Sequence, residues 1–119
     1  MGLDTYASRS PGENGLTPED MAVFDALDLR LCEWIGDGSF RGKVYDELVL
    51  EVTGISLYQE WIPCEEVAQM ATAFEACDPD AVARGTRRHR YHATADEVRA
   101  LRTLSRICVD RGLGFAGSW

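Results

Sequence analysis

Residues 94–112, TADEVRALRTLSRICVDRG, decide the fold class. Thr94 and Glu97 stand three apart at the head of the stretch. In that spacing a hydroxyl and a carboxylate each accept a hydrogen bond from the other's backbone and start a helix. Val98, Leu101, Leu104 or Ser105, and Cys108 then recur at three- and four-residue steps, so one stripe is apolar. Arg99, Arg102 and Arg106 make a basic face, and Gly112 ends the helix. A helix with one dry stripe needs other elements to cover it.

The rest of the chain supplies them. Thr17-Pro18-Glu19-Asp20 combines a capping hydroxyl, a proline at the first helical position and acids in the first turn. Met21, Phe24, Leu27, Leu31 and Trp34 follow at helical spacing, which predicts a helix over 18–35. Val44, Tyr45, Leu48, Val49 and Val52 fit one face of a helix over 43–52, closed by Gly54. The valine content leaves a strand reading open there. Pro63 opens a helix whose inner face is Val67, Met70, Ala71, Phe74 and Cys77, and Asp78-Pro79 ends it. Residues 80–84 fit one further helical turn. Residues 55–62, ISLYQEWI, are short and rich in β-formers, so a strand or extended loop is expected. Leu3, Thr5 and Ala7 alternate with Asp4, Tyr6 and Ser8, which predicts a short strand over 2–9. Residues 10–16 and 85–92 read as loops, and 113–119 is apolar enough to dock. The expectation is a mainly α fold of about four helices with room for a small β element, α+β being the alternative. It occupies one globular domain, 1–119.

The chain has 119 residues, 45% of them hydrophobic, and a net charge of −8. That is enough core for folding without a disulfide or metal staple. The charge is unevenly spread. Residues 1–83 carry 17 acids against Arg9, Arg30, Arg41 and Lys43, a balance of −13. Residues 84–119 carry eight arginines against three acids, a balance of +5. Two surfaces that complement each other, within one fold or across a dimer, are the usual meaning of such asymmetry. Met1-Gly2-Leu3-Asp4 lacks the basic start and apolar run of a secretory leader, and Tyr6 stands where a myristoylation signal needs a hydroxyl. No apolar run approaches the ~20 residues that span a bilayer. A cytoplasmic location, no membrane contact and reduced thiols at Cys32, Cys64, Cys77 and Cys108 are expected.

Several chemistries fail on spacing. In 36–43, GDGSFRGK, Gly36 leaves five residues before Gly42-Lys43 where a phosphate loop has four. Val44 replaces the hydroxyl that would meet Mg²⁺. Arg41 and Lys43 beside free backbone N–H groups could still hold a small anion. His89 and His92 could form half a metal site, but arginines surround them and no C-x-x-C pair accompanies them. No metal or cofactor is expected. Cys64 sits at a helix start, which lowers a thiol pKa, while Glu65 and Glu66 oppose this. Arg84, Arg87, Arg88 and Arg90, with His89 and Tyr91 interleaved, resemble a nucleic-acid footprint. The acidic balance argues against nucleic acid and for salt bridges to the acidic helices. Tyr58-Gln59-Glu60-Trp61 is the densest aromatic–polar cluster and suits a pocket wall or an interface.

The stretches GLDTYASR (2–9), FRGKVY (40–45), LYQEWIP (57–63) and RGLG (111–114) resemble a family of small bacterial proteins beginning MGLDxYASR. The likeness runs over nearly the whole chain. It departs after Cys32, where the family runs to glycines and this chain has Glu33-Trp34-Ile35, and at Cys64, where the family tends to a second proline. The resemblance implies a bacterial, intracellular, stand-alone protein and carries no activity.

These features lead to a non-enzymatic binding or regulatory module acting through a protein partner or self-association. The candidate contact residues are Arg9, Arg41, Lys43, Tyr45, Tyr58, Glu60 and Trp61. The alternative is a small enzyme or small-molecule or anion binder whose pocket gathers Arg9, Arg41, Tyr45, Tyr58 and Glu60, with Glu60 as a general base.

Overall fold

The chain runs β1 (Asp4–Ser8), α1 (Pro18–Asp25), β2 (Ser39–Phe40), α2 (Asp46–Thr53), β3 (Trp61–Ile62), α3 (Cys64–Ala76), α4 (Pro79–Gly85), α5 (Ala95–Asp110) and β4 (Gly114–Ser118). Short 3₁₀ turns occupy Gly42–Val44 and Thr86–Arg88. This is a computed structural model, which describes residues 2–11 and 15–119. The described residues form five helices and one antiparallel sheet of order β2-β1-β4-β3, with α3 against β4. The mainly helical fold with a small β element is therefore the one observed. The expected loop over 10–16 lies partly outside the described residues.

α5 forms as its sequence dictates. Thr94 Oγ1 accepts from the Glu97 N–H at 3.1 Å, and Glu97 Oε1 accepts from the Thr94 N–H at 2.9 Å. Its buried stripe, Val98, Leu101, Leu104 and Cys108, lies mainly against the buried face of α3, Val67, Met70, Ala71 and Phe74. The inner face of the sheet closes the other side of the core. Ala7, Phe115 and Ile62 are paired across three strands and buried, as are Thr5 and Phe40.

The predicted helix over 18–35 stops at Asp25. Leu31 and Phe24 still reach the core, but tertiary partners take the backbone and side-chain groups beyond. The Cys32 N–H donates to the Tyr45 hydroxyl at 2.8 Å, and the Trp34 indole N–H donates to the Leu27 carbonyl at 3.2 Å. Glu33 has a left-handed φ of 59°, which no α-helix admits. Asp25 and Asp28 also oppose the negative end of a helix dipole.

The 43–52 segment is a 3₁₀ turn followed by α2. Gly54 ends it at φ 77°, the left-handed cap that favours glycine. The 55–62 segment pairs only at Trp61 and Ile62. Upstream, local bonds capture the backbone: Leu57 N–H to Asp46 Oδ1 at 2.8 Å, Tyr58 N–H to Ser56 Oγ at 3.1 Å, and Gln59 N–H to Leu57 O at 2.8 Å. The loop expected over 85–92 begins instead with the last residue of α4 and a 3₁₀ turn. There the buried Thr86 hydroxyl donates to Ala83 O at 2.6 Å and accepts from Ala93 N–H. The tail docks as β4, which pairs on both sides. No helix among the described residues is long and apolar enough to cross a membrane. The four cysteines are free thiols.

Candidate functional site

The outer face of the sheet carries the most distinctive surface. Tyr6 on β1 and Trp61 on β3 both stand directly opposite Ala116 on β4, so their side chains share one face with a small residue between them. Gly114 lets the indole lie close to the strand. A Cβ there would stand 2.8 Å from the Trp61 ring and 2.3 Å from the Ile62 carbonyl oxygen. Toward the end of β4, Tyr6, Pro11, Glu60, Trp61, Gly117, Ser118 and Trp119 line a depression of about 540 Å³. Trp119 is 52% exposed and packs edge-on against Tyr58, ring centroids 5.8 Å apart. Glu60 is exposed at this groove and has no ion-pair partner among the described residues. An aromatic-walled groove edged by a free carboxylate suits a cation, which gains from the ring faces and from the negative charge together.

Of the seven expected contact residues, the structure brings Glu60 and Trp61 together in this groove. Lys43 and Tyr58 line a different cleft of about 480 Å³ with Val44, Asp46, Glu47, Arg90 and Tyr91. The other three are engaged elsewhere. Arg41 pairs with Asp4 at 3.1 Å. Arg9 donates three bonds of 2.8, 3.0 and 3.1 Å to Asp20, which is fully buried and also takes Arg111 Nε at 2.6 Å and the Thr17 N–H at 2.9 Å. Burial alone would push the Asp20 carboxyl up. The Thr17 N–H, Arg111 and Arg9 outweigh it and hold the group well below the usual carboxylate range.

Tyr45 is fully buried rather than lining a pocket. Its hydroxyl donates to Glu97 Oε2, which also accepts from the Tyr91 hydroxyl at 2.6 Å. Burial, and then the Glu97 carboxylate, push both phenols up, that of Tyr91 to about 12. Cys32, Cys77 and Cys108 are likewise raised, chiefly by burial. Raised thiols are poor nucleophiles. No described cavity gathers the five residues of the small-molecule alternative.

Two arginines of the basic face of α5 and one just beyond it are matched by acids. Arg99 meets Asp80 at 3.6 Å and Asp96 at 3.2 Å, Arg106 meets Glu75 at 2.6 Å, and Arg111 meets Asp20. His89 pairs with Glu51 at 2.8 Å. Among the described residues no group of three or more His, Cys, Asp or Glu could hold a metal ion.

Sequence reasoning missed Tyr6 and Trp119. The alternation of 2–9 does put Tyr6 on the polar face of a strand, but only the β1–β4–β3 pairing brings it beside Trp61. The molecule so defined is a mainly helical protein with an aromatic, acid-edged groove on the open face of its small sheet. No family model matches the chain, and comparison with curated proteins and with solved structures gives no match either.

Proposed function

We propose that the protein is a non-enzymatic binding module of the bacterial cytoplasm, a member of the small family its sequence resembles. It engages a protein partner by receiving a basic side chain of that partner in the groove on the outer face of its sheet. The observation that carries this reading is the unpaired Glu60 beside Tyr6, Trp61 and Trp119. The acidic balance of −13 over residues 1–83 would draw a basic partner toward that half of the sequence. The engagement of Arg9, Arg41 and Tyr45 in internal bonds supports binding over catalysis.

Titration of an end-blocked Gly-Arg-Arg-Gly peptide, followed by tryptophan fluorescence, tests the reading against the matching Gly-Glu-Glu-Gly peptide. The basic peptide is expected to saturate and the acidic one to leave the signal unchanged. Trp61→Ala should weaken binding about tenfold, the scale of one desolvated cation–aromatic contact. Equal response to both peptides, or a folded Trp61→Ala variant that binds as before, overturns it. Light scattering shows whether the partner is a second copy, whose Arg84, Arg87 and Arg88 would provide the basic group.

A further inference from the structure

The cleft of about 480 Å³ next to the groove has a different chemistry. Two tyrosines, Tyr58 and Tyr91, stand in its walls. Tyr91 is fixed through its hydroxyl to Glu97 at 2.6 Å. Tyr58 follows Ser56 and Leu57, which both donate to Asp46 Oδ1, at 2.9 and 2.8 Å. The far edge of Tyr58 rests on Trp119. Both rings are thus positioned before any ligand arrives, which removes part of the ordering cost of binding.

The charged lining is balanced, Lys43 and Arg90 against Asp46 and Glu47. Lys43 and Arg90 are exposed cations with no ion-pair partner among the described residues. Asp46 is committed to Ser56 and Leu57, so Glu47 is the one lining carboxylate without a partner among the described residues. A purely anionic ligand would meet two carboxylates, and a purely cationic one would meet Lys43 and Arg90. A ligand bearing both charges satisfies each. The volume lies within the range of small-molecule sites, about 300–1,000 Å³.

We infer that this cleft binds a free α-amino acid with an aromatic or large apolar side chain. Its carboxylate meets Lys43 and Arg90, its ammonium meets Glu47, and its side chain lies between Tyr58 and Tyr91. The site adjoins the groove through the Tyr58–Trp119 contact, but no lining residue is shared and it does not depend on the groove's reading.

Calorimetric titration with L-phenylalanine, phenethylamine, 3-phenylpropionate and N-acetyl-phenylalanine amide tests it. L-phenylalanine is expected to bind with a Kd below about 1 mM, and each of the other three at least tenfold more weakly. Lys43→Ala and Arg90→Ala should each weaken L-phenylalanine at least fivefold. Glu47→Gln should weaken L-phenylalanine and phenethylamine alike and leave 3-phenylpropionate unchanged. Arg87→Ala, which removes an exposed cation outside the cleft, should change nothing. Trp61→Ala should weaken the basic peptide about tenfold while leaving L-phenylalanine binding intact, which separates the two sites. Binding of 3-phenylpropionate as tight as that of L-phenylalanine overturns the inference. So does L-phenylalanine binding unaffected by both Lys43→Ala and Arg90→Ala, or no saturation with L-phenylalanine.

Discussion

Glu33 holds a backbone conformation that costs a residue with a Cβ about 1–2 kcal/mol. Glycine would escape that cost and give back part of it through the greater freedom of the unfolded chain. Glu33→Gly is therefore expected to stabilise by roughly 0.5–1 kcal/mol, raising Tm by about 2–4 °C. Glu33→Ala keeps the Cβ and should leave Tm within about a degree. A Tm for the glycine variant at or below that of the parent would show that the position is not strained. Nothing in the helical spacing around Glu33 marked the position as left-handed. Leu27, Leu31 and Trp34 kept helical spacing in a segment that is not a helix, because facing the core and being helical are separate demands. Only the hydroxyl of Tyr45, thirteen residues away from the Cys32 N–H it accepts from, shows which demand won.

Among the elements, legibility followed locality. α5 carries its own cap and its own stripe, and both appear as read. Leu104 is fully buried at the centre of that stripe. Leu104→Ala is expected to cost about 3 kcal/mol, measured by urea unfolding. Thr103→Ala on the exposed side should stay within about 0.5 kcal/mol. A Leu104→Ala cost below about 1 kcal/mol would mean that the α3–α5 seam is not the core of the fold. β4 is the opposite case. Gly114-Phe115-Ala116-Gly117-Ser118 has poor strand propensity, and it is a strand because β1 and β3 offer it edges on both sides. The candidate site divides in the same way. Glu60 and Trp61 stood out as an aromatic–polar cluster, whereas Tyr6 joins them only through that non-local pairing.

Over the whole molecule, Asp20 ties together the exit of β1 through Arg9, the start of α1 through Thr17, and the turn after α5 through Arg111. Because its folded pKa is depressed, it adds stability that is fully present above its ordinary value near 3.8. That stability drains away as pH falls below this value toward the lower folded one. Asp20→Asn should lose roughly 2 kcal/mol at neutral pH and flatten the acid limb of a plot of stability against pH. The arginines are partly exposed, which keeps the loss below that of a fully buried pair. An unchanged acid limb would remove Asp20 from its central place. The charge imbalance along the sequence thus reappears partly as internal pairing, with Arg99, Arg106 and Arg111 each matched to an acid. The position of β4 has a consequence for biosynthesis. Asp4 must wait for Ser118 before it finds its partner, so a nascent chain emerging from the ribosome cannot display Tyr6 beside Trp61. Recognition of a basic peptide would then report that β4 has docked between β1 and β3, and would serve as a conformational quality check on the purified protein.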